Sequence, residues 1–311
     1  MRVFVAGATG AIGRPLLPRL VAAGHEVTGM TRSEERAADV REAGARAAVC
    51  DVFDEQAVQA AMAEARPEIV VHQLTALPDR FDFRDKDLYT ATNRVRGEGT
   101  GILLEAAVAS GARRMVAQSV AFLYAPQGSR VKGEEDPVLE NGPEGFGEAV
   151  ATVVEMERAV TGSDRLEGLA LRYGFFYGPG TVYGEHGSTA EEVRRRRFPV
   201  VGSGSGVFSF IHVDDAAAAT VAAVERGVGG VYNVVDDEPA PMKDWLPAYA
   251  EAFGAKKPLR APAWIARLAA GKAAVGFATE LRGASNEKAK RELGWQPRWA
   301  SWRRGFREAP R

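Results

Sequence analysis

Short β-rich runs alternate with segments of helical period through about residue 172 of this 311-residue chain. Such alternation is typical of an α/β fold, because a strand that joins a parallel neighbour needs a crossover connection, usually a helix. We predict strands over residues 2–6, 26–30, 47–50, 69–73, 114–118 and 168–172, and helices over residues 12–23, 34–42, 54–65 and 87–109. The sequence therefore predicts a doubly wound parallel sheet with helices on both faces.

The pattern changes after residue 172. A loop rich in Gly, Pro and Tyr and a charged stretch lead to a strand-like run over residues 208–213, an Ala-rich helix and another run over residues 231–235. All five tryptophans lie beyond residue 240. We predict that residues 1–172 and 208–235 form the sheet domain, and that residues 173–207 and 236–311 form a smaller C-terminal α/β lobe.

Charge and composition exclude several classes of partner. Lys and Arg number 40 against 41 Asp and Glu, so no strong positive field attracts nucleic acid or an anionic membrane. One cysteine, Cys50, and four histidines give neither a disulfide nor a metal-ligand cluster. No apolar run approaches the roughly 20 residues of a membrane helix, and the N-terminal residues do not resemble a signal peptide. We expect a cytoplasmic protein without a metal.

A glycine-rich run follows the first predicted strand and leads into the first predicted helix. Its residues are Gly7, Ala8, Thr9, Gly10, Ala11, Ile12 and Gly13. Glycine permits a tight turn and lets backbone N–H groups approach a pyrophosphate, while the helix N-terminus adds partial positive charge. We predict that this loop cradles the phosphates of a dinucleotide. An ordinary glycine-rich turn is the alternative.

The residues after the second and third strands bear on the choice of dinucleotide. Arg32 and Ser33 would favour a 2′-phosphate, and hence NADP(H) over NAD(H), because a cation and a hydroxyl can bind that phosphate. The adjacent Glu34 and Glu35 argue against it. After the third strand, Asp51 and Val52 are placed to contact the adenine, although they also suit the start of the next helix.

Several motifs, in this order, resemble the extended short-chain dehydrogenase/reductase family, in its NAD(P)-dependent epimerase/dehydratase branch. They lie over residues 7–13, 70–76, 93–100, 171–180, 210–215 and 285–297. The resemblance implies a Rossmann-type domain that holds NAD(P) and a C-terminal lobe that closes over a small-molecule substrate. It also implies cofactor contacts at Leu74, Thr75, Ala76, Asn93 and Tyr173.

The sequence departs from the family at the proton relay. Relatives carry a Tyr-x-x-x-Lys pair after the fifth strand, in which the lysine makes the tyrosine a better acid. The corresponding residues here are Phe146 and Val150. We name Ser119 first, Tyr124 second and Tyr177 third as replacement catalytic hydrogen-bond donors, with a purely structural role as the alternative for each.

A second departure concerns the substrate. Family members that act on nucleotide sugars hold the diphosphate with an asparagine and an arginine, and these positions are Phe175 and Phe208 here. A buried phosphate without a charged partner is unfavourable. With Phe146 and Phe176, these residues predict an apolar or aromatic substrate, unless some of them only extend the core.

Taken together, the residues predict an NADP(H)-dependent oxidoreductase that acts on a small apolar or aromatic carbonyl or activated alkene by hydride transfer. Two alternatives stay open: a nucleotide-sugar epimerase or dehydratase with relocated catalytic residues, and a non-catalytic NAD(P)-binding sensor or regulator. Relatives commonly dimerise through helices that correspond to residues 87–109 and 146–160. A homodimer is therefore one expectation, and a monomer is compatible with the sequence as well.

Overall fold

The computed structural model describes residues 1–78, 80–85, 87–140, 142–143 and 145–308. Its strands are β1 (Arg2–Ala6), β2 (Glu26–Thr31), β3 (Arg46–Val49), β4 (Ile69–His72), β5 (Arg114–Val120), β6 (Val131–Lys132), β7 (Glu167–Tyr173), β8 (Phe175–Tyr177), β9 (Val200–Val201), β10 (Val207–Phe208), β11 (Phe210–His212), β12 (Gly230–Val234), β13 (Ala240–Pro241), β14 (Arg260–Ala261) and β15 (Gly283–Ala284).

The helices are α1 (Gly13–Ala22), α2 (Glu34–Glu42), α3 (Glu55–Ala65), α4 (Thr90–Arg94), α5 (Thr100–Ala109), α6 (Phe146–Thr161), α7 (Ser188–Arg194), α8 (Val213–Arg226), α9 (Met242–Ala252), α10 (Ala263–Thr279), α11 (Glu287–Leu293) and α12 (Trp302–Glu308). A π-helical turn, Val95–Gly99, joins α4 to α5. Among the described residues, no helix is both long enough and apolar enough to span a bilayer.

Within the described residues, seven parallel strands form the main sheet, in the order β12-β7-β5-β4-β1-β2-β3. All six strands predicted up to residue 172 are present, and β12 adds a seventh at the edge next to β7. The chain order reverses between β1 and β4, so the carboxyl ends of these strands form the crevice where open α/β sheets bind ligands. The predicted doubly wound Rossmann-type fold is confirmed.

Successive side chains of β1 point to opposite faces of the sheet, and each face has its own part of the core. Val3 and Val5 pack with residues of α1 and α8 on one face. Phe4 and Ala6 pack with residues of α3 and α5 on the other. Because side chains alternate along a strand, an apolar strand such as β1 is buried on both sides. This double burial fixes the carboxyl end of β1, from which the glycine loop starts.

The C-terminal elements build a separate aromatic core. Trp245 and Tyr249 of α9 pack with Trp302 and Phe306 of α12 around Phe210 of β11. The predicted division of the chain into a sheet domain and a smaller lobe stays a prediction, and residues 309–311 of that lobe lie outside the described residues. Of the five tryptophans beyond residue 240, Trp245, Trp299 and Trp302 are buried in this aromatic core, Trp295 is buried against the sheet, and Trp264 is exposed.

Candidate active site

The glycine loop has the geometry of a phosphate cradle. Gly7 has φ +90°, and a Cβ there would lie 2.7 Å from the carbonyl carbon of Gln73. A Cβ on Gly13 would overlap the carbonyl oxygen of Gly7, whereas one on Gly10 would meet only that oxygen, at 3.4 Å. The tight turn therefore needs glycine at its two ends, and the space beside Gly10 is open. Ile12, at the N-terminus of α1, makes no side-chain cap, and it lines the cavity together with Gly10 and Ala11.

The residues predicted to hold the adenosine half lie at the ends of β2 and β3. Arg32 is exposed and forms no ion pair with a described residue. Ser33 caps α2 by accepting a hydrogen bond from the N–H of Arg36 at 3.4 Å. The Glu34 carboxylate accepts a hydrogen bond from Arg41 at 2.7 Å, so its charge is partly compensated. The Arg32 guanidinium is thus available to an anion.

Asp51 and Val52 differ in their surroundings. The Asp51 carboxylate is exposed and accepts a hydrogen bond from the N–H of Phe53 at 2.9 Å. Val52 is buried and lies beside Gly99, whose absent side chain leaves room for it. Their contact with an adenine stays a prediction.

The segment after β4 is held in place from two sides. The N–H of Leu74 donates to Nδ1 of His72 at 3.2 Å, and the N–H of Ala76 donates to Oγ1 of Thr92 at 3.3 Å. Thr75, between them, lines the cavity described below. Asn93 has a buried Oδ1 without a partner among the described residues, and this oxygen could accept a hydrogen bond from a bound ligand.

A cavity of about 900 Å³ opens from the glycine loop at Gly10, Ala11 and Ile12. The four phenylalanines predicted to bind substrate all line it: Phe146, Phe175, Phe176 and Phe208. They are joined by Phe122, which stacks on Phe175 at 4.5 Å between ring centroids, and by Phe277, which meets Phe146 edge-on at 4.8 Å. The structure therefore brings these rings together next to the predicted cofactor loop, and their contact with a substrate stays a prediction.

Ser119 and Tyr124 belong to one buried network. The Ser119 hydroxyl donates to Oε1 of Glu157 at 2.5 Å, and Arg172 donates to both carboxylate oxygens of Glu157, at 2.7 and 2.6 Å. Arg172 also donates to the Tyr124 hydroxyl, which donates to Oδ1 of Asn233 at 2.7 Å. The Ser119 proton is thus committed to Glu157, although Ser119 itself lines the cavity.

Tyr124 and Tyr177 lie behind the cavity wall. Burial raises the pKa of Tyr124 to about 12. Tyr177 packs against His212 and Phe306, and burial raises its pKa further. Its hydroxyl is buried without a partner among the described residues. The roles predicted for Ser119, Tyr124 and Tyr177 stay predictions, and this geometry favours the structural alternative for all three.

Tyr173 connects the cavity wall to α8. Its hydroxyl accepts from Nε2 of Gln73 at 3.2 Å and lies 2.7 Å from Oγ1 of Thr220. Thr220 donates its own proton to the carbonyl of Ala216, so Tyr173 donates to Thr220. Gln73 keeps a buried Oε1 without a partner in the described part of the chain. Tyr173 therefore orients Gln73, whose free oxygen is an acceptor at the predicted cofactor site.

Sequence reasoning missed Tyr89 and Arg96, which both line the cavity. The Tyr89 ring packs against Phe146 at 6.3 Å between centroids. Arg96 is 6% exposed and lies in the π-helical turn. One signal for Arg96 was available in the sequence: it is a basic residue inside the family motif over residues 93–100. Among the described residues, no group of three or more His, Cys, Asp or Glu side chains could hold a metal ion.

The fold and the cradle define a class: an oxidoreductase of the short-chain dehydrogenase/reductase type, built to hold a nicotinamide dinucleotide at the carboxyl end of β1. Residues 3–234 match the profile of the NAD dependent epimerase/dehydratase family. The chain belongs to this family, as its motifs predicted.

Several curated relatives are reductases by name, and two of them match nearly the whole chain. The chain is 48% identical to a 3-diazoavenalumate denitrifying reductase of a Streptomyces species, over 98% of this chain and 99% of the relative. It is 28% identical to a 4-hydroxy-2-methyl-3-oxo-4-farnesyl-3,4-dihydroquinoline-1-oxide ketoreductase of Stigmatella aurantiaca, over 96% of this chain and 92% of the relative.

Among solved structures, the UDP-glucose 4-epimerase of Thermus thermophilus in complex with NAD matches with a TM-score of 0.75 at 26% identity, over 99% of this chain and 97% of that chain. The expected enzyme class is confirmed: the chain is an NAD(P)-dependent oxidoreductase. The alternative of a non-catalytic regulator is left without support.

Proposed function

We propose that this chain is an NADP(H)-dependent reductase that replaces the diazo group of a small aromatic substrate with hydrogen. One observation carries the proposal: an aromatic cavity opens on the cofactor loop, and Phe146 and Val150 occupy the positions of the relay tyrosine and lysine. This site can hold a planar apolar molecule but offers no acid at the usual place. The diazo group in the name of the Streptomyces relative supports this choice.

Diazo reduction matches a site without a relay because its overall stoichiometry consumes no proton. A bound reduced nicotinamide supplies hydride, and one arenediazonium ion with one NADPH gives one arene, one dinitrogen and one NADP⁺. Reduction of a ketone, in contrast, consumes one proton, which relatives deliver through their tyrosine. Phe146 in place of that tyrosine should therefore not slow diazo reduction.

The phenylalanines have two tasks in this proposal. The stacked pair Phe122 and Phe175, with Phe208 at 4.9 Å from Phe175, presents flat apolar surface to a planar ring. The same surface excludes water, which would otherwise convert a diazonium ion to a phenol. The chain thus positions and protects the substrate.

The preference for NADP(H) over NAD(H) rests on Arg32. The guanidinium is exposed at the end of β2, and the nearest acidic residue along the chain, Glu34, is paired with Arg41. An arginine without a carboxylate partner is well suited to a 2′-phosphate.

The homodimer and the cytoplasmic location also stay predictions.

The purified protein should oxidise NADPH in the presence of a carboxylated benzenediazonium salt. Because NADPH can react with diazonium ions unaided, the matched control is Gly10→Ala, whose added methyl group enters the predicted cofactor space. The Phe146→Tyr variant should retain diazo reduction within about threefold, since no acid is required. With NADPH below its Kd for the wild type, a wild-type rate no higher than that of Gly10→Ala would contradict the proposal.

Carbonyl reduction is the second candidate, and Tyr89 favours it. This tyrosine lines the cavity beside Phe146 and could donate the proton that a ketone or enone needs. A ketone and enone panel that consumes NADPH, and stops doing so in Tyr89→Phe, would establish it. A nucleotide-sugar substrate is disfavoured because Phe175 and Phe208 pack against each other where a diphosphate would be held. UDP-glucose should therefore not raise the melting temperature.

A further inference from the structure

Arg96 is a buried cation on the cavity wall without an anionic partner. Its side chain lines the cavity, and only 6% of the residue is exposed. It forms no hydrogen bond and no ion pair with any residue in the described ranges. A buried charge without a partner is unfavourable, so proteins seldom keep one unless something else binds it. In contrast, Arg172, another buried arginine, is paired with Glu157.

The backbone around Arg96 is unusual. The helix that sequence periodicity predicts as continuous is interrupted by the π-helical turn Val95–Gly99, which contains Arg96. This turn packs against α6, the helix that carries Phe146 and Val150. A π-helical turn is a less stable arrangement than an α-helix and is frequent at functional sites. Here the turn places an arginine at the cavity and packs against the helix that carries the two positions where the family's relay is lost.

The groups around Arg96 are neutral. Burial, with the charge of Arg96, lowers the pKa of His72 to about 4. His72 accepts a hydrogen bond from Leu74 at Nδ1, so its proton is on Nε2, which lies 3.0 Å from Oγ1 of Thr100. Tyr89 is protonated as well, because burial raises its pKa to about 12. Burial lowers the pKa of Arg96 only to about 10, so it stays charged at neutral pH.

We propose that Arg96 binds a carboxylate of the substrate, with the Tyr89 hydroxyl as a second donor. The substrate is then an aromatic carboxylate whose charged end lies at Arg96 and whose reactive end would face the nicotinamide of a bound cofactor. The guanidinium fork matches a carboxylate in shape and charge. Only the identity of the reactive group rests on the proposed function; the carboxylate site is argued from Arg96 and its surroundings.

We do not expect Arg96 to bind the phosphate groups of the cofactor. We predict a separate cradle for the pyrophosphate at Gly10 to Ile12, which line the cavity, and a separate cation for the 2′-phosphate in the exposed Arg32. Arg96 instead interacts electrostatically with Tyr89, whose ring packs against Phe146 in the aromatic part of the cavity. This difference makes the proposal testable by measuring the two ligands separately.

The test is calorimetric titration of the NADPH-saturated protein with cinnamate and with cinnamamide, which has the same shape but no charge. We expect Arg96→Gln to weaken cinnamate binding at least about tenfold, with cinnamamide and NADPH binding unchanged. Arg96→Lys should retain part of the cinnamate affinity. The matched control is Arg197→Gln, which removes an exposed arginine at the same cavity and should leave all three dissociation constants unchanged.

Three results would overturn the proposal: equal weakening of cinnamate and cinnamamide, weaker NADPH binding in Arg96→Lys, or no cinnamate binding by the wild type. If Arg96→Gln did not fold, Arg96→Lys with the two ligands would decide alone. Because the readout is binding, it does not depend on turnover. The protein could fail to reduce a diazo group and still bind cinnamate in a way that depends on Arg96. This result would refute the proposed reaction but not the carboxylate site.

Discussion

Replacing Gly10 with alanine tests the cofactor cradle most sharply, because the structure separates folding from binding at this position. An added Cβ would have only the Gly7 carbonyl oxygen within 4 Å, at 3.4 Å, and Gly10 does not have a positive φ. We therefore expect the Gly10→Ala variant to fold. Its unfolding free energy without ligand should be unchanged or higher by about 0.4–1 kcal/mol, because alanine lowers the entropy of the unfolded chain.

The matched control, Gly7→Ala, should damage the fold itself. Gly7 has φ +90°, and its Cβ would lie 2.7 Å from the carbonyl carbon and oxygen of Gln73. The left-handed conformation alone costs alanine about 1–2 kcal/mol, and the backbone contact adds to that cost. This variant should melt at a lower temperature with or without cofactor.

Thermal unfolding with and without NADPH distinguishes the two variants. A ligand at a hundred times its Kd stabilises the folded state by about 2.7 kcal/mol. If the methyl group on Gly10 weakens NADPH binding about tenfold, the same concentration stabilises by only about 1.4 kcal/mol. A Gly10→Ala protein that kept the full NADPH-induced stabilisation would refute the assignment of this loop as the phosphate cradle.

Three further predictions follow from named contacts. Arg32→Ala should lose a tenfold preference for NADPH over NADH, equal to about 1.4 kcal/mol, in parallel calorimetric titrations; equal losses for both cofactors would contradict it. Arg172→Met leaves the buried Glu157 carboxylate unpaired and should lower the unfolding free energy by about 3–5 kcal/mol in urea, with Glu157→Gln in the same chain restoring part of it. The folded-state pKa of His72, about 4, is below its ordinary 6.5. Between pH 6.5 and about 4 the unfolded chain therefore binds a proton at His72 that the folded chain does not. The free energy of unfolding should decline by up to about 1.4 kcal/mol per pH unit as the pH falls through this range. His72→Asn should make that decline smaller.

The fold was predictable because its determinants are local and repeated. Most strands of the sheet are short runs rich in apolar residues, and the crossovers carry a helical period, as at β1 and α1. The glycine loop was predictable for the same reason, since its seven residues make the turn by themselves. Even β12, which follows β11 and α8 in the chain, was expected to return to the sheet.

The side-chain chemistry was less predictable because it depends on contacts between distant elements. The orientation of the Ser119 hydroxyl is set by Glu157, 38 residues further along the chain, on α6. The position of Arg96 depends on a π-helical turn that packs against the same helix, and helical periodicity alone gives an uninterrupted α-helix there. Sequence reasoning thus located the cavity by its phenylalanines but missed the polar groups of its wall.

The most direct test of the proposed reaction is to measure dinitrogen release and NADPH oxidation together, in a sealed vessel with a carboxylated benzenediazonium salt. Reduction of the diazo group predicts one dinitrogen per NADPH oxidised, with both rates about tenfold above those of the Gly10→Ala control when NADPH is below its Kd for the wild type. Dinitrogen release without NADPH oxidation would indicate hydrolysis alone. That result, or turnover with ketones but not with the diazonium salt, would contradict the account.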